Sequence, residues 1–196
     1  TALQFQENVD KEAIYADMRG TNDPLSLYFH IPFCEKLCWF CACNTIITKK
    51  HKRASEYLDL VDKEAAFWVQ KTDRRRPVEQ IHLGGGSPSY LSPDQIFQLG
   101  SIIHSFFSVQ KNAECSIEID PRSCTREKAE ALKAVGFNRV SMGIQDSNPK
   151  VQKAINRVQS KELNRQTIGY FRELGFKSIN LDLIYGLPYQ TPDTIR

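Results

Sequence analysis

The amino-acid sequence predicts an α/β protein whose core is part of a (β/α) barrel with about five parallel strands. The first observation is that short apolar segments alternate along the chain with stretches of helical periodicity. The strand segments are 25–33, 78–84, 115–120, 139–145 and 178–186. The helical stretches are 53–71, 92–107, 125–136 and 160–175. Because a helix after each strand returns the chain to the same end of the sheet, this order is typical of parallel pairing.

The second observation is that the two faces of each predicted strand differ in polarity. Leu25 and Leu27 lie on one face of the first strand, whereas Tyr28 and His30 lie on the other. The polar positions of the remaining strands are Gln80, His82, Ser116, Glu118, Asp120, Ser141, Gln145, Asn180 and Asp182. A parallel sheet covered by helices on both faces would show nearly continuous apolar runs. We therefore expect helices on one face and a polar, ligand-holding concavity on the other, with a half-solvated sheet as the alternative.

The ends of the helical stretches carry their own signals. Ser92 and Ser160 stand where N-cap residues are expected, and Gly136 and Gly175 stand where helices should stop. The segments AVGFNRV and ELGFKSI repeat one local design, in which a helix end leads into a strand. This weak internal repeat favours a (β/α) barrel or a part of one.

Composition narrows the class of protein. The chain has 196 residues and a net charge of +3, with no apolar run long enough to span a membrane. The N-terminal residues are too polar for a signal peptide, so we expect a cytoplasmic protein. The basic clusters 49–53 and 74–76 are interpreted as solvated helix ends rather than as a nucleic-acid interface.

The extent of the chain suggests a part of a larger enzyme. Residues 1–24 are interpreted as an N-terminal extension, and residues 25–196 as the N-terminal part of the barrel. The last residues, YGLPYQTPDTIR, end where another helix should begin. We expect a monomer in which later barrel strands and a C-terminal domain are absent from this sequence.

The stretch FCEKLCWFCACN carries cysteines at positions 34, 38, 41 and 43, directly after the first predicted strand. In the reducing cytoplasm, such closely spaced cysteines favour metal binding over disulfides. Zinc usually takes two separated pairs of ligands, and no second pair has that spacing here. Cys34, Cys38 and Cys41 instead suit three irons of a 4Fe-4S cluster, which leaves the fourth iron open to a non-protein ligand. A structural zinc site is the more distant alternative.

The CxxxCxxC pattern after a first barrel strand resembles the radical S-adenosylmethionine (radical SAM) superfamily. Within it, the chain is similar to the oxygen-independent coproporphyrinogen III oxidases of haem biosynthesis over roughly residues 25–196. The blocks that carry this resemblance are YFHIPFCEKLCWFCACN, HLGGGSPSYL, SIEIDPR, GFNRVSMGIQDSNPKVQKAINRVQ and INLDLIYGLPYQTP. The resemblance implies a partial radical SAM (β/α) barrel that holds a 4Fe-4S cluster and S-adenosylmethionine (SAM), of which this family is thought to bind two molecules.

The resemblance also assigns residues. It implies that Cys34, Cys38 and Cys41 bind the cluster, whereas Cys43 completes the extended CxxxCxxCxC pattern and is not a ligand. It places these residues around SAM: Tyr28, Phe40, Gly85, Gly86, Ser87, Glu118, Gln145, Arg157 and Asp182. His30 and Cys43 are the candidate catalytic residues. The alternatives are an ordinary hydrogen-bonded interior histidine and a small buried filler, respectively.

The function that the resemblance implies is oxidative decarboxylation. An electron passed through the cluster would split SAM, and the resulting radical would take hydrogen from two propionate groups of coproporphyrinogen III, giving protoporphyrinogen IX. The electron donor is unidentified, and the fragment alone is expected to bind a cluster without oxidase activity. The nearest alternative is the related haem chaperone family, which typically has an aromatic residue where Cys43 stands here.

Overall fold

The computed structural model describes residues 10–73 and 75–195. Its centre is a sheet of five parallel strands in the order β1, β4, β5, β6, β7. Their bounds are Leu25–Ile31 (β1), Pro77–Gly85 (β4), Ser108–Ile119 (β5), Arg139–Gln145 (β6) and Ser178–Leu183 (β7). A separate pair of short parallel strands, Phe33–Cys34 (β2) and Ile46–Ile47 (β3), brackets the cysteine loop. The expectation of a partial parallel barrel is thus confirmed.

Helices precede, connect and follow the strands of this sheet. Their bounds are Lys11–Gly20 (α1), Lys52–Lys71 (α2), Pro93–Phe106 (α3), Arg126–Ala134 (α4), Pro149–Ala154 (α5), Lys161–Glu173 (α6) and Pro192–Ile195 (α7). Because strand order follows chain order, each crossover places the next strand beside the last one. All five carboxyl ends therefore meet at one edge of the sheet. Among the described helices, none is long and apolar enough to cross a membrane.

The predicted helix ends are confirmed. The Ser92 and Ser160 side chains accept hydrogen bonds from the backbone N–H groups of Gln95 and Leu163, respectively. At both repeated helix ends, a glycine with positive φ is followed by a buried phenylalanine whose N–H closes the last turn. These bonds run from Phe137 to Leu132 and from Phe176 to Phe171, each at 3.0 Å. The internal repeat is therefore a repeated αβ junction.

Two predicted strands have different limits in the structure. β1 ends at Ile31, because Pro32 has no N–H to continue the ladder, and Phe33 pairs instead with Ile46. β5 begins at Ser108 rather than at Cys115, since its polar first residues pair with the start of β4. Cross-strand pairing decides these limits, and local apolarity does not reveal them.

The hydrophobic core lies between the apolar face of the sheet and helices α2, α3, α4 and α6, as expected from the alternation of polarity. The large, fully buried side chains that these helices contribute include Leu58, Leu99, Leu132 and Phe171. The expectation fails at β7, where Leu181 and Leu183 are 46% and 66% exposed. β7 is the last strand of the sheet, so these leucines lack the cover that the inner strands receive.

The N-terminal segment is tied to the sheet through Arg76. This side chain is buried and donates to the backbone carbonyls of Asp23 and Met18, both at 2.8 Å. The interpretation of the basic cluster 74–76 as a solvated helix end is therefore wrong for Arg76, because its guanidinium is buried against these two carbonyls. Arg75 does lie at the surface, on Asp73, and Arg74 lies outside the described residues.

We expect Arg76→Ala to loosen α1. The substitution removes two charge-assisted hydrogen bonds, which corresponds to about 1.5–3 kcal/mol for each. Amide hydrogen exchange across α1 should therefore accelerate, and the free energy of unfolding should fall. Arg75→Ala is the matched control, because its guanidinium bonds only with nearby Asp73 in the described structure. Equal exchange in the two variants would show that Arg76 does not anchor α1.

Candidate functional site

One cavity lies where the carboxyl ends of the strands meet. Its walls come from the cysteine loop after β2 and from the ends of β4, β5, β6 and β7. Ligands in α/β proteins bind at this edge because the loops after parallel strands converge there. This cavity is the candidate functional site.

The cysteine loop is held in place by backbone bonds at its flanks and in its middle. The N–H of Thr48 donates to the carbonyl of Cys34 at 2.9 Å, and the N–H of Trp39 donates to the carbonyl of Ile155 at 3.0 Å. Cys38 is buried, whereas Cys34 and Cys41 are half-buried. Burial, followed by the nearby Cys41 thiol and the Asp120 carboxylate, raises the pKa of Cys34 to about 11. Without a bound metal this thiol keeps its proton at neutral pH, so metal binding would release it.

The glycine-rich loop after β4 lies directly against the end of β1. Gly86 and Ser87 donate their N–H groups to the carbonyls of Ile31 and Phe33, at 2.9 and 3.0 Å. Gly85 has a φ of +123°, and a Cβ added there would lie 2.8 Å from the carbonyl oxygen of Ile31. Only glycine allows two backbone segments to approach this closely. The loop thereby presents bare backbone to the cavity.

Two arginines and one aspartate surround the buried Cys38. Arg122 forms a forked ion pair with Asp120 and also donates to the Cys38 sulfur at 3.3 Å. Arg157 donates to the same carboxylate at 3.1 Å and to the same sulfur at 3.5 Å. Burial alone would raise the pKa of the Asp120 carboxyl, but the hydrogen bond from Arg122 and the charge of Arg157 outweigh burial and lower it. Asp120 is therefore ionised at neutral pH.

Gln145 ends β6 in an unusual backbone conformation. Its φ is +66°, in the left-handed region that long side chains rarely adopt, and the pairing register with β7 shifts between Gly143 and Gln145. The Gly143 carbonyl bends toward the buried Arg157, which donates to it at 2.6 Å. Strain of this kind concentrates at ligand sites, because the surrounding structure must hold it.

The polar faces of the strands form hydrogen-bonded groups below the cysteine loop. His82 bonds with Ser116 at 2.7 Å and with Glu118 at 3.1 Å, and the Tyr28 ring stacks on the His82 ring. The Ser141 hydroxyl donates to Asp182 at 2.7 Å, and Asn180 donates to both of them. Each carboxylate is thus oriented by neighbours while remaining exposed to a ligand.

We expect His82→Ala to weaken SAM binding by about fivefold, since one hydrogen bond that orients Glu118 is lost, at about 1 kcal/mol. Equilibrium dialysis of the cluster-loaded protein measures the dissociation constant. His104→Ala is the control, because within the described residues its ring bonds with the Val135 carbonyl, away from the cavity. If both variants bind SAM equally well, His82 does not support a SAM contact.

The structure brings most of the predicted site residues into one cavity. The residues that line it are Cys34, Cys38, Phe40, Cys41, Cys43, Gly85, Gly86, Ser87, Glu118, Gln145, Arg157 and Asp182. Tyr28 and His30 do not line the cavity itself but lie beside it. The Tyr28 ring stacks on His82, which bonds with Glu118, and a Cβ added to Gly85 would lie 2.9 Å from the His30 ring. His30 bonds with the Tyr28 hydroxyl at 2.9 Å and with the Asn44 carbonyl at 3.3 Å. These bonds fit both the catalytic role and the alternative, so the role of His30 stays a prediction. Cys43 is exposed, so the alternative of a buried filler is wrong.

Arg122 and His82 were not among the candidate site residues predicted from the sequence. Arg122 stands in SIEIDPRS, directly after a strand at the ligand-binding edge, and that position was the available signal. His82 lies on the polar face of β4, in the motif IHLGGGS. Arg122 pairs locally with Asp120, but its contact with Cys38 and the contacts of His82 with Ser116 and Glu118 join residues distant in sequence, and no local pattern indicates them.

The cavity could hold an iron–sulfur cluster with SAM. In residues 10–73 and 75–195, no three His, Cys, Asp or Glu side chains converge tightly enough to hold a single metal ion. A cubane cluster takes its three thiolates on three different irons, so its ligands stand further apart. The Arg157 side chain is buried, and its Nε has no hydrogen-bond partner in the described structure. A buried donor without a partner fits an anionic ligand group, such as the carboxylate of SAM.

Solved structures share this fold. Coproporphyrinogen III oxidase of Escherichia coli, a radical SAM enzyme, matches all of this chain with a TM-score of 0.94 at 44% identity, and the match covers 45% of that chain. A radical SAM methyltransferase from Kitasatospora setae matches 98% of this chain and 35% of its own, with a TM-score of 0.61 at 14% identity. The second likeness shows the fold alone.

Curated relatives give sequence matches of similar extent. Oxygen-independent coproporphyrinogen III oxidase of Escherichia coli (strain K12) is 45% identical over 195 residues, which is 99% of this chain and 42% of that protein. The protein of the same name from Pseudomonas aeruginosa is 44% identical over 199 residues, covering 99% of this chain and 43% of that protein. The chain thus spans less than half the length of these relatives. The family profile of the radical SAM superfamily matches residues 28–196, and the chain belongs to that superfamily.

Proposed function

We propose that the chain is the N-terminal part of an oxygen-independent coproporphyrinogen III oxidase, which converts coproporphyrinogen III to protoporphyrinogen IX in haem biosynthesis. The observation that carries the proposal is the shared cavity. The three candidate ligand cysteines, a fourth cysteine, a glycine-rich loop and the polar ends of three strands converge in it. The names of the curated relatives support the choice of substrate.

Membership of the radical SAM superfamily implies a 4Fe-4S cluster and SAM as cofactors. Cys34, Cys38 and Cys41 would hold the cluster, and their half-buried to buried positions limit access of water to it. When bound, the two cofactors supply one-electron cleavage of SAM and the hydrogen abstraction that starts decarboxylation.

The protein's own side chains would bind and orient SAM. Arg157, already fixed by Asp120 and the Gly143 carbonyl, is suited to the SAM carboxylate. Glu118, oriented by His82, suits the ammonium group, and Asp182, oriented by Ser141, suits the ribose hydroxyls. The backbone of the glycine-rich loop would approach the methionyl group without obstruction from side chains.

The proposal extends to partners and location. Residues 1–24 would be an extension and residues 25–196 the first part of the barrel of a longer, monomeric, cytoplasmic protein. Its electron donor is unidentified, and neither the fold nor the charge distribution supports a nucleic-acid partner.

The test compares two activities of the full-length protein after anaerobic reconstitution. Coproporphyrinogen III turnover, measured with SAM and a low-potential reductant, is expected, and SAM should be consumed in proportion to vinyl groups formed. Haem affinity is measured in parallel. Tight haem binding without turnover would overturn the proposal in favour of a haem chaperone. A second arm uses residues 1–196 alone, which should bind a cluster but show no turnover.

A further inference from the structure

The group around Cys38 has a net positive charge. Two guanidinium groups, from Arg122 and Arg157, share a single carboxylate, Asp120, and both reach the same sulfur. Arg122 contacts Asp120 through Nε and Nη2, with the shorter distance at 2.6 Å, and the same Nη2 lies 3.3 Å from the Cys38 sulfur. Two positive charges against one negative charge leave an excess of about one charge beside the thiol.

Burial makes this charge effective. The Cys38 residue is 7% exposed and the Arg157 residue is 7% exposed, while the Arg122 side chain is 19% exposed. Solvent screening is weak at such sites, so a neighbouring cation interacts with the sulfur more strongly than it would at the surface. By comparison, the Arg126 side chain on α4 is 47% exposed and pairs with Glu130 and Glu173 on the outer side.

The orientation of Arg122 is fixed independently of Cys38. The backbone N–H of Arg122 donates to Asp120 at 2.9 Å within the 3-10 turn Pro121–Ser123, and the forked ion pair closes the same local ring. The local bonds to Asp120 thus direct the guanidinium towards the sulfur. Unlike Arg157, Arg122 has no part in the proposed SAM contacts.

We propose that Arg122 is a positioning residue that raises the reduction potential of the cluster by donating a charge-assisted hydrogen bond to the Cys38 sulfur. The inference rests on the proposed function, because it takes Cys38 as a cluster ligand. Reduction adds one electron to the cluster, which increases negative charge on its sulfurs. A cationic N–H donor at 3.3 Å stabilises that reduced state more than the oxidised one.

The test is a mediated redox titration of the reconstituted full-length protein, with the reduced state followed by EPR. Arg122→Gln keeps a polar side chain but removes the charge. We expect its midpoint to fall, so that the ratio of reduced to oxidised cluster at a fixed potential drops about tenfold, which is about 59 mV for one electron. Arg126→Gln changes the net charge equally, away from the sulfur, and should keep the wild-type midpoint.

Each outcome decides the proposal. Coincident titrations of wild type, Arg122→Gln and Arg126→Gln overturn it, and so does an equal shift in both variants. If Arg122→Gln takes up too little iron to titrate, Arg122→Lys decides, since it keeps the charge but loses the fork. A midpoint of Arg122→Lys that lies below the wild-type midpoint, by less than the roughly 59 mV expected for loss of the charge, supports the proposal. A midpoint equal to that of wild type overturns it. A wild type that takes up no cluster contradicts the proposed function and this inference together, whereas a loaded wild type with unshifted variants contradicts the inference alone.

Discussion

Replacing Cys34, Cys38 or Cys41 with alanine is expected to abolish both cluster assembly and turnover. Each of the three thiolates would hold a different iron, so the loss of one leaves two irons without protein ligands. Iron and sulfide analysis after anaerobic reconstitution should fall from about four of each per chain to background levels. SAM cleavage should disappear with the cluster.

The chain provides matched controls for this experiment. Cys43 lies in the same loop but is exposed, and Cys115 is buried in β5, away from the cavity. Cys43→Ala should keep its iron, and its turnover reports on the candidate catalytic role of Cys43. Cys115→Ala should keep both the iron content and the turnover of wild type. Iron loss in Cys43→Ala equal to that in Cys41→Ala would contradict the assignment of the ligands.

Gly85→Ala is expected to have the next largest effect. The added methyl would lie 2.8 Å from the Ile31 carbonyl oxygen, and the φ of +123° is strained for alanine. We expect the free energy of unfolding to fall by about 1–3 kcal/mol. SAM affinity should fall as well, because the displaced loop lies against residues 31–33, which lead directly into the cysteine loop. Chemical denaturation and equilibrium dialysis measure the two effects.

Gly169→Ala is the matched control, because a Cβ at this position in α6 meets nothing within 4 Å. Alanine favours a helix over glycine by about 1 kcal/mol, so this variant should be slightly more stable. SAM affinity should not change. A Gly85→Ala protein as stable as wild type, with unchanged SAM affinity, would show that the close approach of the glycine-rich loop to residues 31–33 has no role in SAM binding.

The order of strands and helices could be predicted because polarity alternates strongly within the strands. The alternation of polarity could not reveal that β5 starts at Ser108. The residues before Ala113 are largely exposed, and their pairing with β4 places them in the strand. The exposure of Leu181 and Leu183 was likewise hidden, because an edge strand and an inner strand can have the same alternation. Burial depends on neighbours that the strand itself does not specify.

The composition of the candidate site was largely readable from motifs that follow strand ends. The contacts that hold these residues in place could not be predicted from the motifs. The positive φ of Gln145 results from a local shift in pairing, and the approach of Arg122 to Cys38 joins residues 84 positions apart. Such features depend on how the strands pack beside one another, which is the part of the fold least visible in a single sequence.

The most direct test of the account is the metal content of the anaerobically reconstituted full-length protein, combined with EPR of the reduced sample before and after SAM is added. The account predicts about four irons and four sulfides per chain, with a spectrum that changes when SAM binds the open iron. Stoichiometric zinc without iron, or a cluster whose spectrum ignores SAM, would contradict the central claim that this cavity holds a radical SAM centre.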